Sequence, residues 1–197
     1  DDLEGFADLK DNLYEGPLST NYYNGKYYGL PLNTNCLSGV YSKTMMEELN
    51  IDSIPTTYDE VVALKDKLGP DQYLIACEEA NSWAMAPLFH SLGGVYTNED
   101  YTKASGYINS EDSVKALETI VEWYDEGIIG PCITGGKPDV ANGLYDGNYL
   151  FGYQGPWFFT NDDEENLAKV EVGLLPAGKA GSLTVNGGED LVMFESS

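Results

Sequence analysis

The sequence predicts an α/β fold in which helices are layered on a mixed sheet. Short apolar runs alternate along the chain with segments of helical periodicity, which is the pattern of such a fold. The 197 residues, 42% of them hydrophobic, suffice for one well-formed core and a small second subdomain. No run approaches the roughly eighteen apolar residues that a membrane span needs.

The amino-terminal third is expected to change from irregular to extended and then to helical structure. Residues 1–30 hold short apolar pieces without a clear amphipathic element. The segment Leu30 to Ser42 contains β-capable Val40 and Tyr41 and is predicted to be extended. The stretch "KTMMEELN", which begins at Lys43, is predicted to be a short helix.

Three longer helices follow. The first, "TTYDEVVALKDKLG", begins with a capping box formed by Thr57 and Glu60 and ends before Gly69. The second is expected from Ser82 to Leu92, closed by a Gly-Gly pair. The third is capped by Asn109 or Ser110 and stopped by Gly127. Its apolar stripe consists of Val114, Leu117, Val121 and Tyr124.

The remaining elements complete the alternation. Tyr73 to Cys77 is a nearly continuous apolar run, as expected of a strand buried on both faces. Tyr149 to Tyr153, "VEVGLLP" and "EDLVMF" are further strand candidates, and a weaker helix is expected from Pro138 to Tyr145. The acidic run "NDDEEN" is interpreted as a solvated loop or a helix start.

The charge of the chain limits its partners. It has 33 acidic residues against 10 basic ones, all of them Lys, and a formal net charge of −23. Such a chain repels phosphate backbones and anionic membrane surfaces, so nucleic-acid binding is not expected. The absence of Arg removes the bidentate group that commonly holds anionic ligands, which favours a neutral or cationic ligand. Most of the acidic surplus is attributed to solubility.

The three cysteines do not predict a metal site. Cys36, Cys77 and Cys132 are widely spaced, and the single histidine is His90. At most one disulfide could form, and we expect buried free thiols. No metal or cofactor is expected.

Six motifs in register resemble one known family. They are "NGKYYGLPL", "LSGVYSK", "IPTTYDEVVALKDKL", "SWAMAPLFHSLGG", "LYDGNYLFGYQGPW", and the pair "VEVGLLP" and "VNGGEDLVMF". Their order and spacing resemble the carbohydrate-type extracellular solute-binding proteins of ABC importers, the maltose-binding-protein-like family. Tyr58 stands where Trp is commoner in that family, and Ser42 where Asn is commoner.

The resemblance implies a periplasmic-binding-protein-like fold of two lobes that hold ligand in a cleft. It also implies that the chain is a fragment centred on the second lobe. Residues 1–34 would be a remnant of the first lobe with a hinge strand, and residues 35–186 would be the second lobe. Residues 187–197 would form the returning hinge and the start of a first-lobe strand.

The resemblance also indicates aromatic residues for ligand stacking. Trp157 follows the Gly-Pro break, and Trp83 stands at the start of the helix that leads to the Gly-Gly pair. Flat aromatic rings suit the apolar faces of sugars. The alternatives are core packing for Trp157 and packing against a neighbouring helix for Trp83. Trp123 is expected to be a core or partly exposed packing residue.

Polar candidates for the same site come from the resemblance too. Asn35 and Asn81 match ligand-contact positions, although either could be a turn residue that bonds its own backbone. Gly187 and Gly188 match the returning hinge, and Glu189 could reach a ligand hydroxyl. The adjacent carboxylates Glu78 and Glu79 carry little weight in so acidic a chain.

The function that follows is non-catalytic capture of a sugar or oligosaccharide and its delivery to a membrane permease. The protein would be monomeric and extracellular, cell-surface or periplasmic, with a lipid anchor in the full-length form. One alternative is a binder of a cationic solute or peptide within the same family. The other is a carbohydrate-active hydrolase with two carboxylates, for which no pair stands out.

Overall fold

The computed structural model describes residues 4–160 and 163–194. Its chain divides into two compact units. The larger unit is Leu37–Val185, and the smaller unit comprises the described residues up to Cys36 and from Asn186 onward. The predicted α/β class is confirmed by the mixture of helices and strands along the chain.

The helices and strands of the described residues are mostly short. The α-helices are α1 Phe6–Lys10, α2 Glu15–Ser19, α3 Lys43–Glu48, α4 Tyr58–Val62, α5 Ala86–Ser91, α6 Glu111–Asp125, α7 Val140–Tyr145 and α8 Glu164–Leu167. The strands are β1 Tyr22–Tyr23, β2 Lys26–Tyr27, β3 Gly29–Pro31, β4 Asn35–Cys36, β5 Ser38–Ser42, β6 Tyr73–Ala76, β7 Tyr149–Gln154, β8 Val170–Gly173, β9 Asn186–Gly187 and β10 Asp190–Val192. Single 3₁₀ turns occur at Lys65–Lys67, Pro131–Thr134 and Pro156–Phe159.

The larger unit is built on a four-stranded mixed sheet with the order β6-β7-β5-β8. β6 runs parallel to β7, whereas β5 is antiparallel to both β7 and β8. All six residues of β7 are buried, and so are the last three of β6. Strands buried on both faces read as continuous apolar runs, which is why both were visible in the sequence.

Two apolar clusters cover the sheet. The larger contains Tyr41, Met45 and Phe151, and the other contains Val40, Leu144 and Phe158. Tyr58 and Tyr153 join β7 to α4 through a buried hydrogen bond of 2.8 Å between their hydroxyls. Burial raises the pKa of both phenols, so they stay protonated and the bond is a neutral one.

The predicted capping box begins α4. The Thr57 hydroxyl accepts from the backbone N–H of Glu60 at 3.2 Å, and the Glu60 carboxylate accepts from the N–H of Thr57 at 3.3 Å. The same carboxylate accepts from Thr56, which lowers the pKa of Glu60. The helix, however, ends at Val62 and is followed only by a 3₁₀ turn. The prediction of a single helix that ends before Gly69 was therefore wrong.

The apolar stripe of the longest helix does not face the core, contrary to the usual meaning of such spacing. Val114, Leu117, Val121 and Tyr124 of α6 are 36–58% exposed. The buried residues of α6 are Ser113, Ala116 and Ile120 instead. The small residues Ser113 and Ala116 let α6 approach its neighbours closely. The Ser113 hydroxyl accepts from the backbone N–H of Val95 and donates to the backbone carbonyl of Val95. Its cap is Ser110.

Most other boundaries agree with the sequence. Trp123 packs partly buried against the core, with its ring 5.8 Å from that of Tyr58, as expected. α5 begins at Ala86 rather than Ser82, because the preceding residues form a turn. α8 is capped by Asp163, within the acidic run whose residues 161 and 162 lie outside the described residues.

The smaller unit contains regular elements that its sequence did not reveal. α1 and α2 are each a single turn or slightly more, and β1 and β2 form a hairpin around Asn24-Gly25. Both hairpin residues have positive φ, which Asn and Gly tolerate best. β3 pairs with β10, and β4 pairs with β9, in both cases antiparallel.

The cysteines are free, but only two are buried. Cys77 and Cys132 lie in the interior, whereas Cys36 is exposed, so the expectation of three buried thiols was wrong for Cys36. Burial raises the pKa of the Cys77 thiol to about 12, and burial also raises that of Cys132. At neutral pH both therefore remain protonated, and the thiol form reacts poorly.

We expect Thr57→Ala to lower the free energy of unfolding by about 1 kcal/mol, because it removes the side-chain cap of α4. Urea titration followed by circular dichroism measures the change. Thr119→Ala is the matched control, since it makes the same substitution within α6 and should be neutral or slightly stabilising. Equal losses in both variants would contradict the role of the cap.

We also expect one thiol to react with an aromatic disulfide reagent in the folded chain at pH 7.5, and three after denaturation. Cys36→Ser should abolish the native reaction, while Cys77→Ser should leave it unchanged. The colour of the released thiolate measures the number of reactive groups. A rapid native reaction that survives in Cys36→Ser would contradict the burial of the other two.

Candidate functional site

The candidate site of the larger unit lies where two parallel strands end. β6 leads into Glu78, and β7 leads through Gln154 and Gly155 to Trp157. Ligand sites of open α/β sheets commonly form beyond the carboxyl ends of adjacent strands. Here a pocket of about 450 Å³ is lined by Glu78, Cys132, Gly135, Gly136, Lys137, Asp139, Val140, Ala141, Gln154, Trp157 and Phe158. Its volume falls within the range of about 300–1,000 Å³ that is typical of small-molecule sites.

The three aromatic residues after the Gly-Pro break have different surroundings. Pro156 begins a 3₁₀ turn, as expected from its fixed φ at a first helical position. Phe158 packs in the core beside Tyr145, whereas Phe159 is 36% exposed. Trp157 is 41% exposed and lines the pocket. Full burial of Trp157 in the core, the alternative interpretation, does not occur.

Gly155 provides the space that the Trp157 ring occupies. A Cβ atom built on Gly155 would lie 2.3 Å from a ring carbon of Trp157. The indole therefore folds back over the backbone of Gly155, and a side chain there would displace it. Any residue could adopt the extended backbone conformation of Gly155. Glycine is required there because the Trp157 ring approaches the backbone too closely for a side chain.

Charged residues on two loops line the same pocket as Trp157. Asp139 caps α7 by accepting from the N–H of Asn142 at 3.1 Å, and hydrogen bonds from Asn142 lower the pKa of Asp139. The Lys137 ammonium lies 3.5 Å from the Asp139 carboxylate at the surface. The Glu78 carboxylate has no hydrogen-bond or ion-pair partner among residues 4–160 and 163–194. Glu78 is thus a free acceptor at the pocket.

Gln154 is the most buried polar residue of the pocket. Its side chain is only 6% exposed, although it stands at the end of β7 where the pocket begins. Its backbone carbonyl accepts from the Ser38 hydroxyl at 3.3 Å. Its carboxamide has no hydrogen-bond partner in the described part of the chain.

Trp83 and Asn81 lie together on the turn before α5, outside the lining of this pocket. Trp83 is 37% exposed. The Asn81 carbonyl oxygen accepts from the N–H groups of Trp83 and Ala84 at 2.9 and 2.8 Å, and its amide donates to Glu79. The side chain of Asn81 therefore forms a turn, the alternative use of this residue. A ligand contact by Trp83 or Asn81 stays a prediction.

The other candidates lie together in the smaller unit. Asn35 pairs with Gly187 across β4 and β9. Gly188 has a φ of 148°, and a Cβ there would meet the Asn33 carbonyl oxygen at 2.3 Å, so glycine is required. The exposed Glu189 follows, and its carbonyl accepts from Leu32 at 2.8 Å. The side-chain oxygen of Asn35 is buried without a hydrogen-bond partner in the described chain, an arrangement that usually costs stability.

Sequence reasoning did not find several residues of the pocket. Glu78 was given little weight, and Lys137, Asp139 and Gln154 were not considered. The signal was available, because Glu78 and Gln154 stand at the ends of two apolar runs whose continuous pattern indicates buried parallel strands. The loop with Lys137 and Asp139 offered no comparable pattern.

The described residues show neither a metal site nor a membrane span. Among residues 4–160 and 163–194, no three His, Cys, Asp or Glu side chains are grouped so that they could hold a metal ion. In the same ranges, every helix is too short or too polar to cross a bilayer.

Comparison with known families gives a match over the whole chain. The model of a family described as bacterial extracellular solute-binding protein matches residues 1–197. Putative binding proteins of Brucella abortus and Brucella suis are each 25% identical over 207 residues. The alignment covers 99% of this chain and 49% of each relative, so the chain spans about half the length of the curated relatives it matches.

Solved structures share the fold. Maltose-bound MalE3 of T. maritima has a TM-score of 0.77 and 22% identity over 98% of this chain and 52% of its own. A solute-binding protein of an ABC transporter from Thermotoga lettingae, bound with α-D-tagatose, has a TM-score of 0.76 and 25% identity. That alignment covers all of this chain and 52% of the other. The periplasmic-binding-protein fold predicted from the sequence is thereby confirmed.

We expect Gly155→Ala to change the environment of Trp157, because the added methyl group would collide with the indole. Intrinsic fluorescence and its quenching by acrylamide measure the change. The same substitution in a Trp157→Phe background is the control and should produce no difference. A spectral change that persists in that background would arise from Trp83 or Trp123 and would contradict the contact.

Proposed function

Because this chain belongs to the family of bacterial extracellular solute-binding proteins, we propose that it takes part in capturing a sugar or oligosaccharide. The ligand would stack on Trp157 in the pocket of the larger unit and would be delivered to the permease of an ABC importer. Proteins of this family bind solutes and are not catalysts, so a hydrolase is set aside.

The observation that carries the proposal is the exposed Trp157 ring at a pocket with free polar groups. A sugar presents an apolar C–H face and a polar rim of hydroxyls. The indole supplies a large flat surface for the face, and Glu78 and Gln154 supply hydrogen-bonding groups for the rim. The 3₁₀ turn sets the backbone of Trp157 and its ring packs on Gly155, which limits the side-chain freedom that would be lost on binding.

The ligands of similar structures support a carbohydrate. Maltose and α-D-tagatose are named for the two Thermotoga proteins, and a protein of Arthrobacter globiformis binds cyclic α-maltosyl-1,6-maltose. A neutral sugar also suits a chain with a net charge of −23 and no Arg.

The remaining sequence-based expectations belong to this proposal. They are a two-lobed protein with residues 1–34, 35–186 and 187–197 as its successive parts, a monomeric state and a lipid anchor on the extracellular side. Asn35, Asn81, Trp83 and Glu189 remain proposed ligand contacts, with Gly187 and Gly188 as the hinge. The required glycine at Gly188 supports a special backbone role at that position.

A second candidate is a cationic solute or peptide. The observation that favours it is the Glu78 carboxylate at the pocket, which no cation neutralises in the described chain. A protonated amine could lie between this carboxylate and the face of Trp157, where both charge and ring would attract it. Lys137 at the same pocket opposes such a ligand.

Isothermal titration of the native polypeptide that contains residues 1–197 with maltose, maltotriose and D-tagatose tests the proposal. We expect Trp157→Ala to weaken sugar binding at least about tenfold, because it removes the stacking surface. Phe159→Ala is the matched control, since that neighbouring ring does not line the pocket, and it should keep the affinity.

Two results would contradict the proposal. The first is the absence of binding to any sugar of the panel. The second is equal affinity of wild type and Trp157→Ala. Loss of affinity on raising NaCl from 50 to 500 mM, together with binding of amines in place of sugars, would favour the cationic candidate, because exposed charge interactions are screened by salt.

A further inference from the structure

Gln154 differs from the other mostly buried polar residues of the larger unit because its side chain makes no hydrogen bond in the described chain. Nine-tenths or more of its side chain is removed from solvent, and it lines the Trp157 pocket. No group in residues 4–160 or 163–194 donates to or accepts from its carboxamide. In these ranges, Asn35 Oδ1 is the one side-chain oxygen or nitrogen that is both fully buried and unbonded, so the Gln154 carboxamide remains accessible at the pocket that it lines.

The structure offers a direct comparison in Gln72. The Gln72 carbonyl oxygen accepts from the N–H of Gly69 at 2.9 Å, and its amide donates to Glu48 at 2.8 Å and to Gly147 at 3.1 Å. Gln72 thus ties three segments together, as a structural glutamine does. Gln154 ties none, so its amide contributes nothing of this kind to the fold.

Replacement of Gln154 by an apolar residue would break no side-chain hydrogen bond within the described chain, so the amide is not needed to hold the larger unit together. A polar group with free donors and acceptors at the base of a pocket is, by contrast, suited to a ligand that completes its hydrogen bonds. A ligand that lacks matching groups would leave the amide unpaired and would be rejected.

We propose that the Gln154 carboxamide is a specificity determinant that recognises two adjacent hydroxyl groups of a sugar stacked on Trp157. The carbonyl oxygen accepts from one hydroxyl, and the amide nitrogen donates to the oxygen of the next. A carboxamide holds one donor and one acceptor side by side, which matches the alternating donors and acceptors of a vicinal diol. The inference rests on the proposed function.

The surroundings of Gln154 favour this use. The ring of Trp157 is three residues away along the chain, and it covers the backbone of Gly155 between them. The Gln154 backbone is fixed by its strand partner Ser38, whose hydroxyl donates to the Gln154 carbonyl. The amide at the end of β7 and the ring packed on Gly155 line the same pocket, so they offer a polar and an apolar surface to one ligand, as a pyranose requires.

The test uses the native polypeptide that contains residues 1–197, and maltose, maltotriose and D-tagatose, each with its monodeoxy derivatives. In wild type, removal of one hydroxyl of an adjacent pair should weaken binding at least about fivefold, since one or two hydrogen bonds are lost. Gln154→Met should weaken binding of the parent sugar roughly tenfold. In that variant the penalty for removing the same hydroxyl should disappear.

Thermal unfolding separates recognition from folding. Gln154→Met should unfold at the wild-type temperature or above it, because no protein hydrogen bond is lost. Gln72→Met, the matched control, should lower the unfolding temperature and keep the affinity for sugar. If Gln154→Met does not fold, Gln154→Leu takes its place in the comparison, and the absence of any position-specific penalty in wild type overturns the proposal in either case.

The outcomes distinguish this inference from the proposed function. One outcome is that wild type binds a sugar, that Trp157→Ala weakens this binding, and that Gln154→Met leaves the binding unchanged. The proposed function then stands and the role of Gln154 is overturned. If wild type binds no sugar of the panel, both are overturned. The role of Gln154 is also overturned if removal of a sugar hydroxyl weakens binding equally in wild type and in Gln154→Met.

Discussion

The complete burial of β7 is the constraint on which the larger unit depends. This strand pairs in parallel with β6 on one side and antiparallel with β5 on the other, and all six of its residues are buried. Its apolar residues are therefore committed to the core on both faces. The first polar side chain of the strand is Gln154 at its last position, and the pocket begins there, because the strand's carboxyl end is the first point at which functional groups can emerge.

The elements that sequence reasoning predicted well are those with a local physical cause. The capping box of α4 and the proline at the start of the Pro156–Phe159 turn depend on residues within four positions of each other. The orientation of α6 has no such local cause. Its apolar stripe remains on the surface because the opposite face, with small Ser113 and Ala116 and apolar Ile120, packs on the core instead. Only the tertiary arrangement determines which of the two faces is buried.

The candidate site was predictable in part, for the same reason. Trp157 could be identified because a Gly-Pro break and a family resemblance both marked it. The place of Gln154 at the end of a buried strand could also be inferred, but the hydrogen bonds that its amide does not make leave no trace in a sequence. Asn81 shows the converse, because its amide serves the turn before α5, a role that the sequence allowed but did not distinguish from ligand binding.

The unbonded amide of Gln154 and the unbonded side-chain oxygen of Asn35 also bear on how such a chain evolves under different pressures. Natural proteins keep locally unfavourable groups where activity needs them, and selection for robustness alone tends to remove them. A library of this protein selected only for heat resistance should therefore accumulate apolar residues at these positions. One selected only for uptake of its solute should retain them. Positions that become apolar under selection for heat resistance but stay polar under selection for uptake would be those at which recognition and stability conflict. Together these positions would mark the recognition surface.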